Sequence, residues 1–169
     1  MKFREGITAE ELRSILDYDQ KTGIFTHRDG PFRRNKAGQI AGSVSDQGRK
    51  RYYVISVKRK IYTAHRLAWL YMTGEWPKKQ IDHINGDSLD NRIVNLREAT
   101  DSQNRVNSPA YVHSKTGQRG IHVHACGRYR VQLQKDNKPI HIGYFDTLNS
   151  AIEARDVAYR EIHGEFARL

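Results

Sequence analysis

The sequence predicts an α+β chain of small sheets and short helices, in two parts joined by a linker, and three observations carry that reading. Runs rich in β-branched and aromatic residues recur between Gly-containing turns, as in Tyr52-Tyr53-Val54-Ile55-Ser56-Val57. Two capping boxes, Thr8-Ala9-Glu10-Glu11 and Thr100-Asp101-Ser102-Gln103, mark helix starts far apart in the chain. The last third reads as three strand-like runs followed by one amphipathic helix. With 169 residues to divide, each part is small, and below about 70–80 residues a core rarely supplies more than ~3–5 kcal/mol.

The first capping box, with Leu12, Ile15 and Leu16 at helical spacing behind it, predicts a helix over 9–17. Residues 28–60 follow, with ten Lys and Arg against two Asp, interleaved with Gly, Tyr and β-formers. This composition predicts twisted hairpins with basic loops, a folded surface suited to a polyanion. The run His65-Arg66-Leu67-Ala68-Trp69-Leu70-Tyr71-Met72 predicts a second helix, stopped by Gly74 and Pro77, with Leu67, Leu70 and Tyr71 on its apolar face.

Lys79-Gln80-Ile81-Asp82-His83 reads as a strand ending at a turn rich in Asn, Gly and Asp. Val94-Asn95-Leu96-Arg97 is the expected returning strand, and the second capping box starts a helix after it. This strand, loop, strand, helix order puts Asp82 and His83 at the end of one strand and Asn95 on the other, with Asn104 projecting from the helix back toward the hairpin. Residues 108–118 are polar and punctuated by Pro109 and Gly117, which predicts a linker. Beyond it, strands are expected over 119–124, 128–135 and 138–145. The closing helix is expected over about 150–163, with Ala151, Ala154, Val157 and Ala158 on one face. The expected domains are 1–107, the linker, and 119–169.

Composition excludes several classes. The net charge of +10 points to an anionic partner. No apolar run approaches the ~18 residues that cross a bilayer, and the N-terminal residues lack the pattern of a secretory signal, so an intracellular, cytoplasmic protein with no membrane partner is expected. The lone Cys126 allows no internal disulfide and no zinc site with two thiolates.

The segment 80–104 carries the chemistry. A carboxylate (Asp82) and an amide oxygen (Asn104) are hard ligands suited to Mg²⁺, or Mn²⁺ in its place, which leaves coordination positions for water and phosphate. His83, with an ordinary pKa near 6.5, is placed to take a proton from an attacking water, and Asn95 is the candidate to orient it, directly or by shaping the loop. His65 either contacts a phosphate or caps its helix; Arg66 and Arg97 either bind phosphate or form ion pairs. Taken singly, Asn91, Asn95 and Asn104 also fit turn or cap roles.

Asp82-His83, Asn95 twelve residues after the histidine and Asn104 nine further on resemble the HNH endonucleases of the ββα-metal (His-Me finger) superfamily. His65-Arg66-Leu67-Ala68-Trp69, Asn85-Gly86, Asn91-Arg92 and Asn95-Leu96-Arg97 resemble the subgroup found in bacteriophage homing endonucleases. Over about residues 50–107, the resemblance implies a ββα-metal catalytic domain, with Asp82 and Asn104 as metal ligands, His83 as general base and Asn95 as the orienting residue. Position 104 is Asn where many members have His, a change known in this subgroup and one that favours a hard metal.

In the C-terminal part, Arg128, Arg130, Gln132 and Gln134 alternate with Tyr129, Val131 and Leu133, so a strand would place hydrogen-bonding side chains on one face and apolar ones on the other. With His122 and His124, and His141 beside them, that outer face suits the DNA major groove. Arg119-Gly120-Ile121, Gly127-Arg128-Tyr129, Ile142-Gly143-Tyr144-Phe145-Asp146-Thr147 and His163-Gly164-Glu165-Phe166-Ala167 resemble the Apetala/ethylene-response-factor DNA-binding domain. That family's three-stranded antiparallel sheet, packed on one helix, docks in the major groove. The implied contacts here are Arg119, His122, His124, Arg128, Arg130, Gln132 and Gln134.

The expected function is that of a metal-dependent endonuclease acting on double-stranded DNA at a preferred site, in a phage-infected host if the subgroup holds. A monomer, the expected state, would nick one strand with its one site, and a double-strand break would need two chains, as in a dimer, or two successive nicks. A DNA-binding regulator with a silent nuclease fold is the alternative. An RNA-directed protein would instead predict stacking aromatics on the sheet face.

Overall fold

A computed structural model of the chain describes residues 6–28, 36–46, 48, 51–107, 115–135 and 138–167. It divides into two compact units, Met1–Glu98 and Ala99–Leu169. Among the described residues no helix is long and apolar enough to cross a membrane.

In the first unit, α1 (Ala9–Ile15) starts as expected: Thr8 Oγ1 accepts from the Glu11 N–H, and the Glu11 carboxylate accepts from the Thr8 N–H. It ends two residues earlier than its apolar spacing suggests, because Leu16 opens β1 (Leu16–Asp19), which pairs antiparallel with β2 (Ile24–His27). A buried residue at 16 satisfies both a helix and a strand pattern, and the strand pairing with β2 decides it. The basic stretch forms an antiparallel meander, β3 (Ser43–Asp46), β4 (Arg51–Val57) and β5 (Lys60–Thr63), in that sheet order. Arg33, Arg34, Arg49 and Lys50 of the predicted basic loops lie outside the described residues.

The second helix, α2 (Ala64–Thr73), ends at Gly74, whose φ of 84° is the left-handed cap that stops a helix cheaply only at glycine. Leu67 and Leu70, facing inward from it, are almost wholly buried with Leu12, Leu16, Phe25, Ile55, Ile81 and Leu96. Tyr18, Phe25 and Tyr71 form an aromatic cluster at centroid distances of 4.8 to 6.1 Å. The strand β6 (Gln80–His83) pairs with β7 (Leu96–Ala99), and a single 3₁₀ turn, Ile93–Asn95, precedes β7. Asn95, expected on the returning strand, is therefore the last residue of that turn. There its side chain faces the loop between the strands.

In the second unit, α3 (Asp101–Asn107) begins on the predicted box: Thr100 N–H donates to Gln103 Oε1 at 2.8 Å and Gln103 N–H to Thr100 Oγ1 at 3.2 Å. The helix belongs to this unit because Val106 packs with Leu133 and Tyr159, and its carbonyl accepts from Arg119 (2.6 Å) and the Tyr159 hydroxyl (3.0 Å). Of the predicted linker, residues 108–114 lie outside the described residues.

Three antiparallel strands follow, β8 (Ile121–Val123), β9 (Tyr129–Lys135) and β10 (Lys138–Phe145), with β9 central. The sheet packs on α4 (Leu148–His163) through Ile121, Val131, Leu133, Ala151, Ala158 and Tyr159. Val157, expected on the buried face, is exposed, because Ala151, Arg155, Ala158 and Tyr159 set the helix face about 100° or more away from it.

Candidate active site

β6 delivers Asp82 and His83 to its end with their side chains almost buried, at 4% and 7% exposure. The chain then turns at Gly86, whose N–H returns to the His83 carbonyl at 2.8 Å and whose φ of 71° suits glycine. The loop that follows is tied by its own amides and acids. Asn95 Oδ1 accepts from the Asn85 N–H at 2.9 Å, and its amide nitrogen donates to Asn85 Oδ1 at 3.0 Å and the Asp90 carbonyl at 2.9 Å. Arg92 clamps both oxygens of Asp90, at 2.8 and 2.6 Å, and holds that carboxyl down to a pKa of about 2. Asn95 thus ties the two ends of the loop together.

The amide beside the imidazole is Asn91. Burial lowers the His83 pKa below its ordinary value, while the Asn91 side chain and the Asp82, Asp87 and Asp90 carboxylates act in the opposite direction. His83 is therefore neutral at pH 7, with a basic nitrogen to use. Nothing in the sequence separates Asn91 from the other turn-forming asparagines; its side-chain hydrogen bond to His83, made from a buried position, is what does so.

His65, on the first turn of α2, stands edge-on to His83 with ring centroids 5.1 Å apart and rests against Tyr52 on its other side. Its Nε2 lies 3.1 Å from Thr63 Oγ1, so the residue that would cap α2 is engaged by the ring. Burial pushes its pKa down to about 3. Arg66 stacks over Trp76 at 5.4 Å and Arg97 donates from Nε to Asp82 Oδ2 at 2.9 Å. Both cations thus have protein partners.

The far side of the loop is braced by the β1–β2 hairpin, a support the sequence does not announce. The Tyr18 hydroxyl donates to the Asn91 carbonyl at 2.7 Å, and burial raises its own pKa to about 12. Gly23, at a φ of 73°, lies so close that a Cβ would meet Arg92 N at 2.5 Å and Asn91 C at 2.6 Å. Ser88 Oγ bonds the Arg51 carbonyl at the start of β4.

Residues 62–106 match the family model of the HNH endonucleases. This HNH domain takes in α2, the Asp82-His83 strand end, the loop, β7 and most of α3, about a quarter of the chain, and it supports a nuclease acting on DNA. No curated protein and no solved structure matches the chain. Asn104 lies within the HNH match, half-buried on α3, its N–H bonded to the Thr100 carbonyl.

The C-terminal sheet sorts its predicted contacts into two groups. His122, Arg130 and Tyr144 stand opposite one another across β8, β9 and β10, and Gln132 stands opposite His141. A bulge between His141 and Gly143 turns Ile142 into the core and leaves His141 and Tyr144 together outside, ring centroids 4.9 Å apart, with His124 5.0 Å from Tyr144 on the other side. The outer face thus holds an exposed tyrosine among histidines, a placement that strand alternation alone does not give. Gln134 is exposed on β9. Arg128 is tied to Asp146 at 2.8 Å and to the Tyr144 carbonyl at 3.1 Å. Arg119 turns inward, its guanidinium on the Val106 carbonyl and the Tyr159 hydroxyl, and so holds α3.

Proposed function

We propose that the protein is a divalent-metal-dependent DNA endonuclease of homing type, acting in the cytoplasm on a preferred site in double-stranded DNA. The observation that carries this reading is the neutral, buried His83 next to a buried carboxylate at one strand end, inside the HNH match.

The donor set fits Mg²⁺ or Mn²⁺. Asp82 offers a hard oxygen donor that already has a cation as partner, and the sequence resemblance assigns Asn104 as a second oxygen ligand. No three His, Cys, Asp or Glu side chains converge on a metal position among the described residues. A cation held by so few protein groups completes its shell with water and phosphate, the habit of Mg²⁺. When bound, the metal stabilises the charge that builds on the phosphate and the leaving oxygen.

The chain's own residues supply the rest. His83 accepts the proton of the water whose oxygen attacks phosphorus, as the bond to the leaving sugar oxygen breaks. Asn91 and the loop held by Asn95 keep the imidazole in place, and His65 packs the ring from the side. His122, His124, Arg128, Arg130, Gln132 and Gln134 present donors and acceptors to base edges and phosphates, in the manner of the Apetala/ethylene-response-factor fold. Arg119 supports that surface from within. A second DNA-binding module on the same chain raises avidity by about 10²- to 10⁴-fold. One His83 per chain makes a single-strand nick the product of a monomer.

The full chain incubated with supercoiled plasmid should give nicked circles with Mg²⁺ and none with EDTA or with His83→Ala. A mobility shift without strand breakage in any metal would instead identify a DNA-binding regulator.

A further inference from the structure

The Asp82 carboxylate assigned to the metal is already half of an ion pair, and both halves are buried. Arg97 Nε donates to Asp82 Oδ2 at 2.9 Å, with side-chain exposures of 13% and 4%. The pair joins adjacent strands, since Asp82 lies on β6 and Arg97 on β7. The hairpin thus fixes the guanidinium beside the carboxylate. Burial shields the pair from bulk solvent, which would otherwise screen a second positive charge, so a divalent cation on Asp82 and an undisturbed Arg97 oppose each other. A phosphodiester reverses that balance. It gives the guanidinium an anion of its own, with oxygens placed for charge-assisted hydrogen bonds, and it provides oxygen ligands to the metal.

We propose that Arg97 is a positioning residue that couples metal capture to substrate. In the free protein it occupies Asp82, and a bound DNA phosphate draws it off so that the carboxylate can take the cation. This inference rests on the nuclease reading and deepens it: the site loads its metal on DNA rather than before it. By linkage the metal must tighten DNA binding by the same factor.

The test measures binding and needs no turnover. In full-length protein carrying His83→Ala, so that DNA stays intact, Mn²⁺ affinity is read from the electron paramagnetic resonance signal of free Mn²⁺, with and without a saturating duplex. The same protein carrying Asp82→Ala as well is the baseline for Mn²⁺ bound elsewhere. The duplex should tighten the Asp82-dependent site by at least about fivefold. Arg97→Gln should bind Mn²⁺ more tightly than its parent without DNA and should lose most of the DNA-induced gain. Arg97→Lys, which keeps a cation beside Asp82, should retain a DNA-dependent gain and serves as the control if the glutamine variant fails to fold. Equal Mn²⁺ affinity with and without DNA in the parent, or an unchanged gain in Arg97→Gln, would overturn the coupling and leave the nuclease reading standing. Absence of any Asp82-dependent Mn²⁺ site in either state would overturn both.

Discussion

His65 is the residue whose protonation most directly ties this site to stability. Its pKa is about 3 in the fold and near 6.5 in an unfolded chain. Between those values the unfolded chain holds a proton that the folded one does not, so stability falls as pH falls below about 6.5. The loss from this residue alone amounts to about 2 kcal/mol between pH 7 and pH 5. His83, shifted in the same direction, adds to it. Urea unfolding of the parent and of His65→Gln should give curves that diverge toward neutral pH and converge toward pH 5. Parallel pH profiles would show that His65 is not buried in its neutral form. Gly23 makes a second residue-scale prediction. A Cβ added there would lie within 2.6 Å of backbone atoms of Asn91 and Arg92, at a φ of 73°, so Gly23→Ala should cost roughly 1–3 kcal/mol. It should also slow strand cleavage by displacing Asn91, as read by thermal melting and nicking rate together.

At the scale of elements, much was legible because the signals are local. Both capping boxes, the glycine stop after α2, the three strands before α4 and the strand end that carries Asp82 and His83 follow from residues a few positions apart. What the sequence withheld depends on partners far along the chain. The brace from Tyr18 and Gly23 spans some seventy residues, and the bulge that puts Tyr144 outside is a one-residue slip that a period of two cannot announce. The pairing of Arg97 with Asp82 in the free protein is set by strands that meet fifteen residues apart in the chain. The β4–β5 turn offers a test at this scale. Lys58 and Arg59 have φ of 48° and 63°, a pair of left-handed residues in a two-residue hairpin that favours Asn-Gly. Arg59→Gly should stabilise the protein by roughly 0.5–1 kcal/mol and weaken DNA binding slightly through the lost charge, measured by urea unfolding and by titration at fixed salt.

For the whole molecule, the proposed function divides labour between a strand-breaking site in the HNH domain and a C-terminal sheet that would read DNA. Replacing Arg128 and Arg130 together with Ala should lower the dependence of affinity on salt by about two phosphate contacts at most and blur the choice of site. The cleavage rate on saturating DNA should stay near the parent's. Equal affinity, salt slope and cleavage pattern would remove the sheet from recognition. The central claim is that His83 is the proton acceptor, and single-turnover cleavage of a labelled duplex in Mg²⁺, measured beside the dissociation constant, tests it most directly. His83→Ala should cut the rate by about 10²- to 10⁴-fold and leave DNA affinity within twofold or so of the parent. Cleavage at the parent's rate by that variant would contradict this role for His83.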